Sequence, residues 1–178
     1  MVKLIPLYLF YFLATGSIML FDFNNDNLIN NWKIVNDTVM GGKSQSQFKV
    51  NSDGHAVFSG DISLKNYGGF CSVRYSFGTL DIGEYSKISI MLKGDGKDYK
   101  LRLKNTSKNY YSYQKDIETT SEWQTIVVDL SDFYPTFRGR DLDLPNFNHN
   151  SVEEFSILIA NKKAEQFKLL IDKIEFTN

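Results

Sequence analysis

The sequence predicts an all-β protein folded as a jelly-roll β-sandwich. Apolar and polar residues alternate with a period of two far more often than apolar residues recur at helical spacing. Clusters of Asn, Asp, Ser and Gly separate these runs at fairly even intervals, which gives about ten short strands. A series of short strands with almost no helix is typical of two sheets packed face to face.

The length of 178 residues predicts one domain, because most domains have about 100 to 200 residues. A domain of this length buries roughly 70% of the surface that its unfolded chain exposes. Aromatic residues make up 15% of the sequence, so we expect a core rich in rings. The 20 basic and 21 acidic residues leave a net charge of −1. This balance lacks the basic excess of nucleic-acid-binding domains, and we expect no nucleic-acid partner.

The first seventeen residues have the pattern of an export leader. Lys3 precedes the apolar run Leu4–Leu13, and the small residues of Ala14–Ser17 follow. We therefore predict a signal peptide over residues 1–17, a periplasmic or extracellular location, and a single domain over residues 18–178. The alternative is an uncleaved membrane anchor, because apolar character resumes at Ile18–Phe21. The lack of arginine in this segment disfavours mitochondrial import.

Strand character is concentrated in short runs that alternate apolar and polar residues. These runs are Leu20–Phe23, Phe48–Val50, Ala56–Phe58, Phe70–Tyr75, Lys87–Leu92, Tyr99–Lys104, Tyr110–Tyr113, Trp123–Asp129 and Phe167–Phe176. The alternation is strictest in Tyr99–Lys104, where the cations Lys100, Arg102 and Lys104 share one face. Such a basic stripe is either a docking surface for an acidic partner or, more commonly, a solvated face.

The connections between the runs carry recognisable turn signals. Asn51–Gly54 predicts a hairpin, because an Asp-Gly pair accepts positive φ, and Gly94–Asp98 predicts a second one. Leu130–Asn150 is a long irregular connection. Ser151–Glu154 has the spacing of a capping box and predicts one helical turn. A shift in the phase of the alternation at Asp172–Lys173 predicts a β-bulge.

Residues able to carry catalysis or to hold a metal form no recognisable pattern. Cys71 is the one cysteine, which excludes an internal disulfide bond, and we expect it to be a small buried apolar residue. His55 and His149 occupy polar loops outside any triad motif. Asp95 and Asp98 suit a calcium loop, but turn chemistry is the simpler interpretation. We therefore predict no enzymatic activity, no cofactor and no metal site.

The most distinctive stretch is Trp32–Gly42. Its apolar alternation ends in Asn36 and Asp37, whose side chains bond readily to nearby backbone, and Gly41 and Gly42 follow. Glycine takes positive φ without strain or lets another group approach closely. The pattern predicts a strand that leads into a specially shaped loop.

Several of these pieces, in this order, resemble the complex I intermediate-associated protein 30 family, and the resemblance covers essentially Leu20–Phe176. The clearest matching motifs are Phe21–Phe23, Val35–Gly42, Gly68–Arg74, Tyr99–Leu103 and Phe133–Arg140. The resemblance implies a galactose-binding-like sandwich and a role as an assembly factor of respiratory complex I (NADH:ubiquinone oxidoreductase), or as a chaperone-like binding module. It implies no catalytic residues.

On such a sandwich we expect Asn36–Gly42, Gly68–Arg74 and Phe137–Arg140 to lie near one another, because each combines Gly-bent backbone with polar side chains. The candidate binding residues are Asn36, Asp37, Gly41, Gly42, Gly68, Gly69, Arg74, Arg138 and Arg140. The three arginines offer forked donors to a carboxylate-rich or carbonyl-rich partner. Alternatively, they pair with Asp37 or with backbone carbonyls and fix the loops.

A protein partner is the first functional hypothesis, and an exported carbohydrate-binding module is the alternative. In the alternative, Trp32, Trp123 or the tyrosines of Tyr110–Tyr113 stack on sugar rings. A sugar site requires an exposed ring beside hydrogen-bonding side chains. A protein-docking site instead shows a contiguous apolar or charged patch without a deep pocket.

Overall fold

A computed structural model describes residues 16–23 and 26–178 of the chain. The predicted leader over residues 1–17 lies outside these residues except for its last two. The described residues form thirteen strands and four short 3-10 turns. No helical element in this part of the chain has the length and apolar character needed to cross a membrane.

The strands lie close to the runs that the alternation predicts. Their bounds are β1 (Ile18–Asp22), β2 (Trp32–Asn36), β3 (Gln45–Val50), β4 (Ala56–Ile62), β5 (Cys71–Asp81), β6 (Lys87–Lys93), β7 (Asp98–Lys104), β8 (Ser112–Glu118), β9 (Trp123–Asp129), β10 (Tyr134–Phe137), β11 (Arg140–Asp141), β12 (Ser151–Ile159) and β13 (Glu165–Thr177). The 3-10 turns are Asp26–Asn31, Asp37–Met40, Lys65–Tyr67 and Leu130–Asp132.

Two antiparallel sheets form the sandwich. One sheet has six strands in the order β3-β4-β13-β6-β9, with β1 also paired to β13. The other has seven strands in the order β11-β10-β8-β7-β12-β5-β2. The predicted all-β jelly-roll class is confirmed.

Apolar faces of both sheets fill the space between them. Tyr99, Leu101 and Leu103 of β7 are fully buried, as the alternation predicts. At one end of the core, Trp32 and Tyr75 stack with ring centroids 5.2 Å apart, and further Phe rings surround them. The expected ring-rich core is therefore present, and it supplies most of the apolar burial that holds the sheets together.

Two predicted irregularities of the strands are confirmed. The connection between β3 and β4 is a tight hairpin in which the Asn51 Oδ1 accepts hydrogen bonds from the amides of Asp53 and His55, and Gly54 has a φ of +81°. In β13 the register against β6 shifts between Ile171 and Lys173, which is the expected bulge.

Two other local predictions are wrong. Gly94–Asp98 is not a hairpin, because it joins β6 of one sheet to β7 of the other. Gly94 is needed there because a Cβ would lie 2.0 Å from Oγ1 of Thr119. Ser151–Glu154 begins strand β12 rather than a helical turn. The buried residues that follow it, from Phe155 to Leu158, pair with strands on both sides, and this pairing overrides the capping pattern.

The predicted irregular connection Leu130–Asn150 contains more regular structure than its composition indicates. Tyr134–Phe137 and Arg140–Asp141 form a small hairpin. Arg138 and Gly139 join them with φ values of +50° and +74°, which is the backbone of a two-residue hairpin turn with positive φ at both positions. The hairpin forms the edge of the seven-stranded sheet.

Candidate functional site

Two loops meet at the end of the sandwich where β2 ends and β5 begins. Loop 37–42 follows β2, and loop 63–70 connects β4 to β5. Asn36 and Cys71 are paired across the sheet, so the loops begin at adjacent positions. The Asp37 amide donates to the Phe70 carbonyl at 3.2 Å and extends this pairing into the loops.

The carboxylate of Asp37 holds the two loops together. This residue is 1% exposed, and its Oδ1 accepts a hydrogen bond from the Ser44 amide at 2.9 Å. Its Oδ2 accepts from the Ser44 hydroxyl and from the amides of Gly69 at 2.6 Å and Phe70 at 3.3 Å. A buried carboxylate is stable only when such donors replace the water that it has lost.

These donors also determine the ionisation of the group. Burial acts to raise the pKa of Asp37, but the hydrogen bonds from the Ser44 hydroxyl and from the amides of Gly69, Ser44 and Phe70 outweigh it. The pKa therefore lies below its usual range, and Asp37 is a charged structural residue at neutral pH.

Glycines 42 and 68 make room for this carboxylate. A Cβ on Gly42 would lie 2.3 Å from Oδ1 of Asp37, and one on Gly68 would lie 2.5 Å from Oδ2. Gly41 and Gly69 serve the backbone instead, with φ values of +91° and +132°. The sequence-predicted residues in these two loops are thus brought together as expected.

Two asparagine side chains add further contacts to the loops. The Ser46 hydroxyl donates to Oδ1 of Asn36 at 2.8 Å, which fixes the end of β2 against β3. The Asn66 side-chain amide donates to the Gly41 carbonyl at 3.1 Å and bridges the two loops at their outer side. Sequence reasoning selected Asn36 but missed Asn66.

The fixed loops present large apolar side chains to solvent. We call this set the loop surface; its members are Val39 at 69% exposure, Met40 at 65%, Leu64 at 47% and Tyr67 at 101%. Exposed apolar clusters on a rigid support are typical of protein-docking sites. None of the four was chosen from the sequence, although Val39 and Met40 lie inside the distinctive stretch. The sequence feature that could have identified Val39 and Met40 is that two large apolar residues stand directly before the double glycine.

The tip of loop 63–70 is held in an unfavourable backbone conformation. Asn66 and Tyr67 have φ values of +56° and +58°, in the left-handed region that residues with a Cβ seldom adopt. Asparagine tolerates this region, whereas a bulky residue such as Tyr67 costs of order 1–3 kcal/mol there. The Asn66 side chain bonds the Gly41 carbonyl at this tip, and Tyr67 is fully exposed there.

The three predicted arginines do not join the loops. Arg138 and Arg140 are exposed in the hairpin at the opposite edge of the seven-stranded sheet, with β10, β8, β7, β12 and β5 between them and β2. The expectation that Phe137–Arg140 lies near the other two segments is therefore wrong. The Arg138 guanidinium lies 5.2 Å from the Phe137 ring centroid instead. The Asp37 carboxylate accepts its hydrogen bonds from Ser44 and from backbone amides, and within the described residues it pairs with no arginine.

Arg74 lies on the outer face of the seven-stranded sheet, in a row of side chains that crosses six strands. We call it the central row; in order from β2 to β10 it consists of Lys33, Arg74, Ser156, Arg102, Gln114 and Tyr134. The basic stripe of β7 meets this row at Arg102. The side chain of Arg74 makes no hydrogen bond or ion pair with the described part of the chain.

Arg102, in contrast, is fixed by hydrogen bonds. Its Nε and Nη2 atoms donate to Oε1 of Gln114 at 3.0 and 2.9 Å. The Gln114 amide in turn donates to Oδ1 of Asp116 at 2.9 Å and to the Tyr134 hydroxyl at 3.1 Å. Burial, and then the like charge of Arg74, lower the pKa of Arg102.

The aromatic residues proposed for sugar stacking have different environments. Trp32 and Tyr113 are buried, at 7% and 4% exposure. Trp123 is 37% exposed on the outer face of the six-stranded sheet, where the His55 ring packs against it at 4.5 Å. Tyr110 is 64% exposed, and its ring contacts the Phe137 ring at 5.1 Å. Exposed rings therefore exist, but they do not belong to the central row.

The remaining titratable residues named from the sequence have internal partners. His55 pairs through Nδ1 with Asp172 at 3.2 Å, and the His149 Nε2 shares a 2.7 Å hydrogen bond with the Tyr113 hydroxyl. Asp95 accepts from Lys97, the Tyr99 hydroxyl and the Lys168 amide, which is structural turn chemistry. Cys71 is fully buried, as predicted, and burial raises the pKa of its thiol to about 11.

Comparison with solved structures defines the class of fold. A family 11 carbohydrate-binding module from Clostridium thermocellum, solved with a β-1,3-1,4-mixed-linked tetrasaccharide, superposes with a TM-score of 0.68 at 21% identity over 92% of this chain and 96% of that module. A family 29 carbohydrate-binding module superposes with a TM-score of 0.52 at 13% identity over 90% and 91% of the two chains. The protein therefore has the jelly-roll, galactose-binding-like fold of these modules.

Sequence comparison identifies the family within that fold. The family model for complex I intermediate-associated protein 30 matches residues 21–171, so the chain belongs to this family. An uncharacterized protein of Schizosaccharomyces pombe is 28% identical over 166 residues, which cover 80% of this chain and 76% of that protein. The match spans both loops of the candidate site and the central row.

Proposed function

We propose that this protein is a non-catalytic binding module that holds a protein partner during the assembly of a larger complex. One observation carries the proposal: the loop surface exposes Val39, Met40, Leu64 and Tyr67 on two loops that the buried Asp37 fixes in place. A monomeric protein gains no stability from keeping such residues in water, whereas a docking surface requires them.

The strained conformation of Asn66 and Tyr67 supports the same function. The backbone strain is useful only if the exposed position of the ring matters, because a glycine or a shorter loop would avoid it. A pre-ordered ring also loses little conformational freedom when it binds.

Membership of the family supports respiratory complex I as the complex that is assembled. The direct test uses the native host with the gene deleted, complemented with the wild-type protein or with a Met40→Ser/Tyr67→Ser variant. We expect the assembled NADH:ubiquinone oxidoreductase on native gels to fall on deletion, to recover with the wild type, and to stay low with the variant. Normal levels in the deletion strain would refute the complex I assignment.

A matched control distinguishes loss of docking from a general effect of the substitutions. Val127 is 53% exposed on β9, on the other sheet, so Val127→Ser removes a comparable exposed apolar side chain elsewhere. This variant should restore assembly as well as the wild type does. Failure of both variants would mean that the loop surface has no special role.

Carbohydrate binding is a second candidate, favoured by the exposed Tyr110 ring beside Phe137 on a fold shared with carbohydrate-binding modules. Affinity electrophoresis in gels containing mixed-linked β-1,3-1,4-glucan tests it. Retardation that disappears in Tyr110→Ala would favour this candidate. Unchanged mobility in the glucan would leave protein docking as the better account.

A further inference from the structure

The outer face of the seven-stranded sheet concentrates positive charge in one row. The central row contains Lys33, Arg74 and Arg102 and no carboxylate, so its formal charge is +3. The other three members, Ser156, Gln114 and Tyr134, are neutral hydrogen-bonding groups. A chain with a net charge of −1 has no general excess of cations, so this row is a local feature.

The neighbouring positions on the same face balance their charges. Lys100 donates to Asp116 at 2.9 Å on one side of the row. Lys104 lies opposite Glu154 in the sheet register on the other side, and its Nζ donates to the Asn109 carbonyl at 2.6 Å. Beyond Lys100 and Asp116 the face ends in a cavity of 430 Å³ lined by side chains of both signs. The four flanking residues sum to a formal charge of zero, so the net charge of this part of the face equals the +3 of the central row.

Arg74 and Arg102 are the chemically distinctive pair in this row. Both lie opposite Ser156, on strands that flank β12, so their backbones are about 10 Å apart. Gln114 fixes the Arg102 fork through two hydrogen bonds, whereas the Arg74 fork has no partner within the described residues. Asp116 and Glu154 flank the pair and act on Arg102, but the central row and these neighbours together with Lys100 and Lys104 keep a formal charge of +3, which an anionic ligand would neutralise.

The end of the central row formed by Lys33 and Arg74 lies near the loop surface. Lys33 lies on β2 three residues before Asn36, and Arg74 lies on β5 three residues after Cys71, the position where the two loops begin. The distance along each strand is about 10 Å. A partner seated on Tyr67 and Met40 is thus close enough to extend across the row.

We propose that the central row binds an acidic polypeptide segment, whose carboxylates pair with Arg74 and Arg102 across Ser156. An acidic polysaccharide would also match the charge, but the one aromatic ring of the row, Tyr134, is only partly exposed, and its hydroxyl accepts a hydrogen bond from Gln114. The inference rests on the proposed function in that it takes the ligand to be part of a protein partner.

The test titrates the purified chain with a blocked hexaglutamate peptide at low salt and follows the backbone amide resonances by NMR. We expect shifts at Arg74, Ser156 and Arg102, and weaker binding as salt is raised, because the pairs lie at the surface. Arg74→Gln should weaken binding about tenfold, as expected for loss of a forked charge-assisted pair. Arg74 is the preferred site because its side chain has no hydrogen bond to the described residues that the replacement would break.

Lys49→Gln is the matched control, since it removes one exposed positive charge from β3 of the other sheet. It should leave the affinity for hexaglutamate unchanged. Equal loss in both variants, or no binding by the wild type, would overturn the inference.

A parallel titration with trigalacturonate distinguishes the two classes of anionic ligand, and tighter binding of this sugar than of the peptide would also overturn the inference. None of these outcomes bears on the loop surface, which the Met40→Ser/Tyr67→Ser variant tests independently.

Discussion

A methyl group placed on Gly42 would lie 2.3 Å from Oδ1 of Asp37 and 2.4 Å from its Cγ, so the glycine and the carboxylate occupy adjoining space without room for a side chain. Asp37 has no freedom to move aside, because four hydrogen bonds fix both of its oxygens. The absence of a Cβ at position 42 is therefore a requirement of the buried carboxylate.

This contact predicts different costs for the two adjacent glycines. Gly42→Ala should lower the free energy of unfolding by about 3 kcal/mol, at the upper end of typical overpacking costs. Gly41→Ala meets no atom within 4 Å and should lose only about 1 kcal/mol, from its φ of +91°. Urea denaturation of both variants measures the difference. Equal losses would show that backbone conformation, not the carboxylate, explains the double glycine.

Asp37→Asn should lower the free energy of unfolding by about 3 kcal/mol at neutral pH, because an amide NH₂ then faces backbone donors in a buried site. The folded-state pKa of Asp37 lies below the unfolded value. Its contribution is therefore fully present above the unfolded pKa, about 3.9, and is lost as the pH falls through the folded pKa. The gap between wild type and variant should narrow below about pH 4. A gap that stays constant with pH would contradict this account.

Tyr67→Gly should remove the exposed ring of the loop surface and leave the stability of the fold nearly unchanged. Glycine relieves the left-handed strain at φ +58° but gives more freedom to the unfolded chain, so the net change in stability should stay within about 0.5 kcal/mol. Tyr110→Gly, at an exposed tyrosine without positive φ, should instead destabilise by about 1 kcal/mol. Thermal unfolding measures both. A large loss of stability in Tyr67→Gly would mean that the ring packs against the protein.

The Cys71 thiol should react very slowly in the native protein. With a pKa of about 11 the thiolate fraction at pH 8 is on the order of 0.1%, and the side chain is fully buried. We expect iodoacetamide to modify the native chain at least about 100-fold more slowly than the chain unfolded in urea. Rapid modification under native conditions would indicate that β5 opens locally.

The fold was largely predictable because alternation is a local signal. In Tyr99–Lys104 each apolar residue points to the core, and the bulge near Asp172 appeared as a change of phase within one strand. Turn chemistry was less informative. The glycines of Gly94–Asp98 show that the chain turns, but not which sheet receives the next strand, and here the chain crosses to the other sheet.

The site was predictable only for residues that are close in sequence or that contact the same carboxylate, that of Asp37. Asp37, Gly42 and Gly68 were found because Asp and Gly after a strand favour a specially shaped loop. Arg138 was misplaced, because its position depends on strand order across the whole sheet. The central row could not be predicted from the sequence for the same reason, because its six members come from six different strands.

Strand β13 has a consequence for the order in which the molecule is made. It lies between β4 and β6 and also pairs with β1, so a strand made after all three of them completes their contacts. While residues 165–177 remain inside the ribosome, β4 and β6 have no shared neighbour and expose unpaired edges. The six-stranded sheet therefore closes only after β13 has emerged, and until then its open edges favour aggregation.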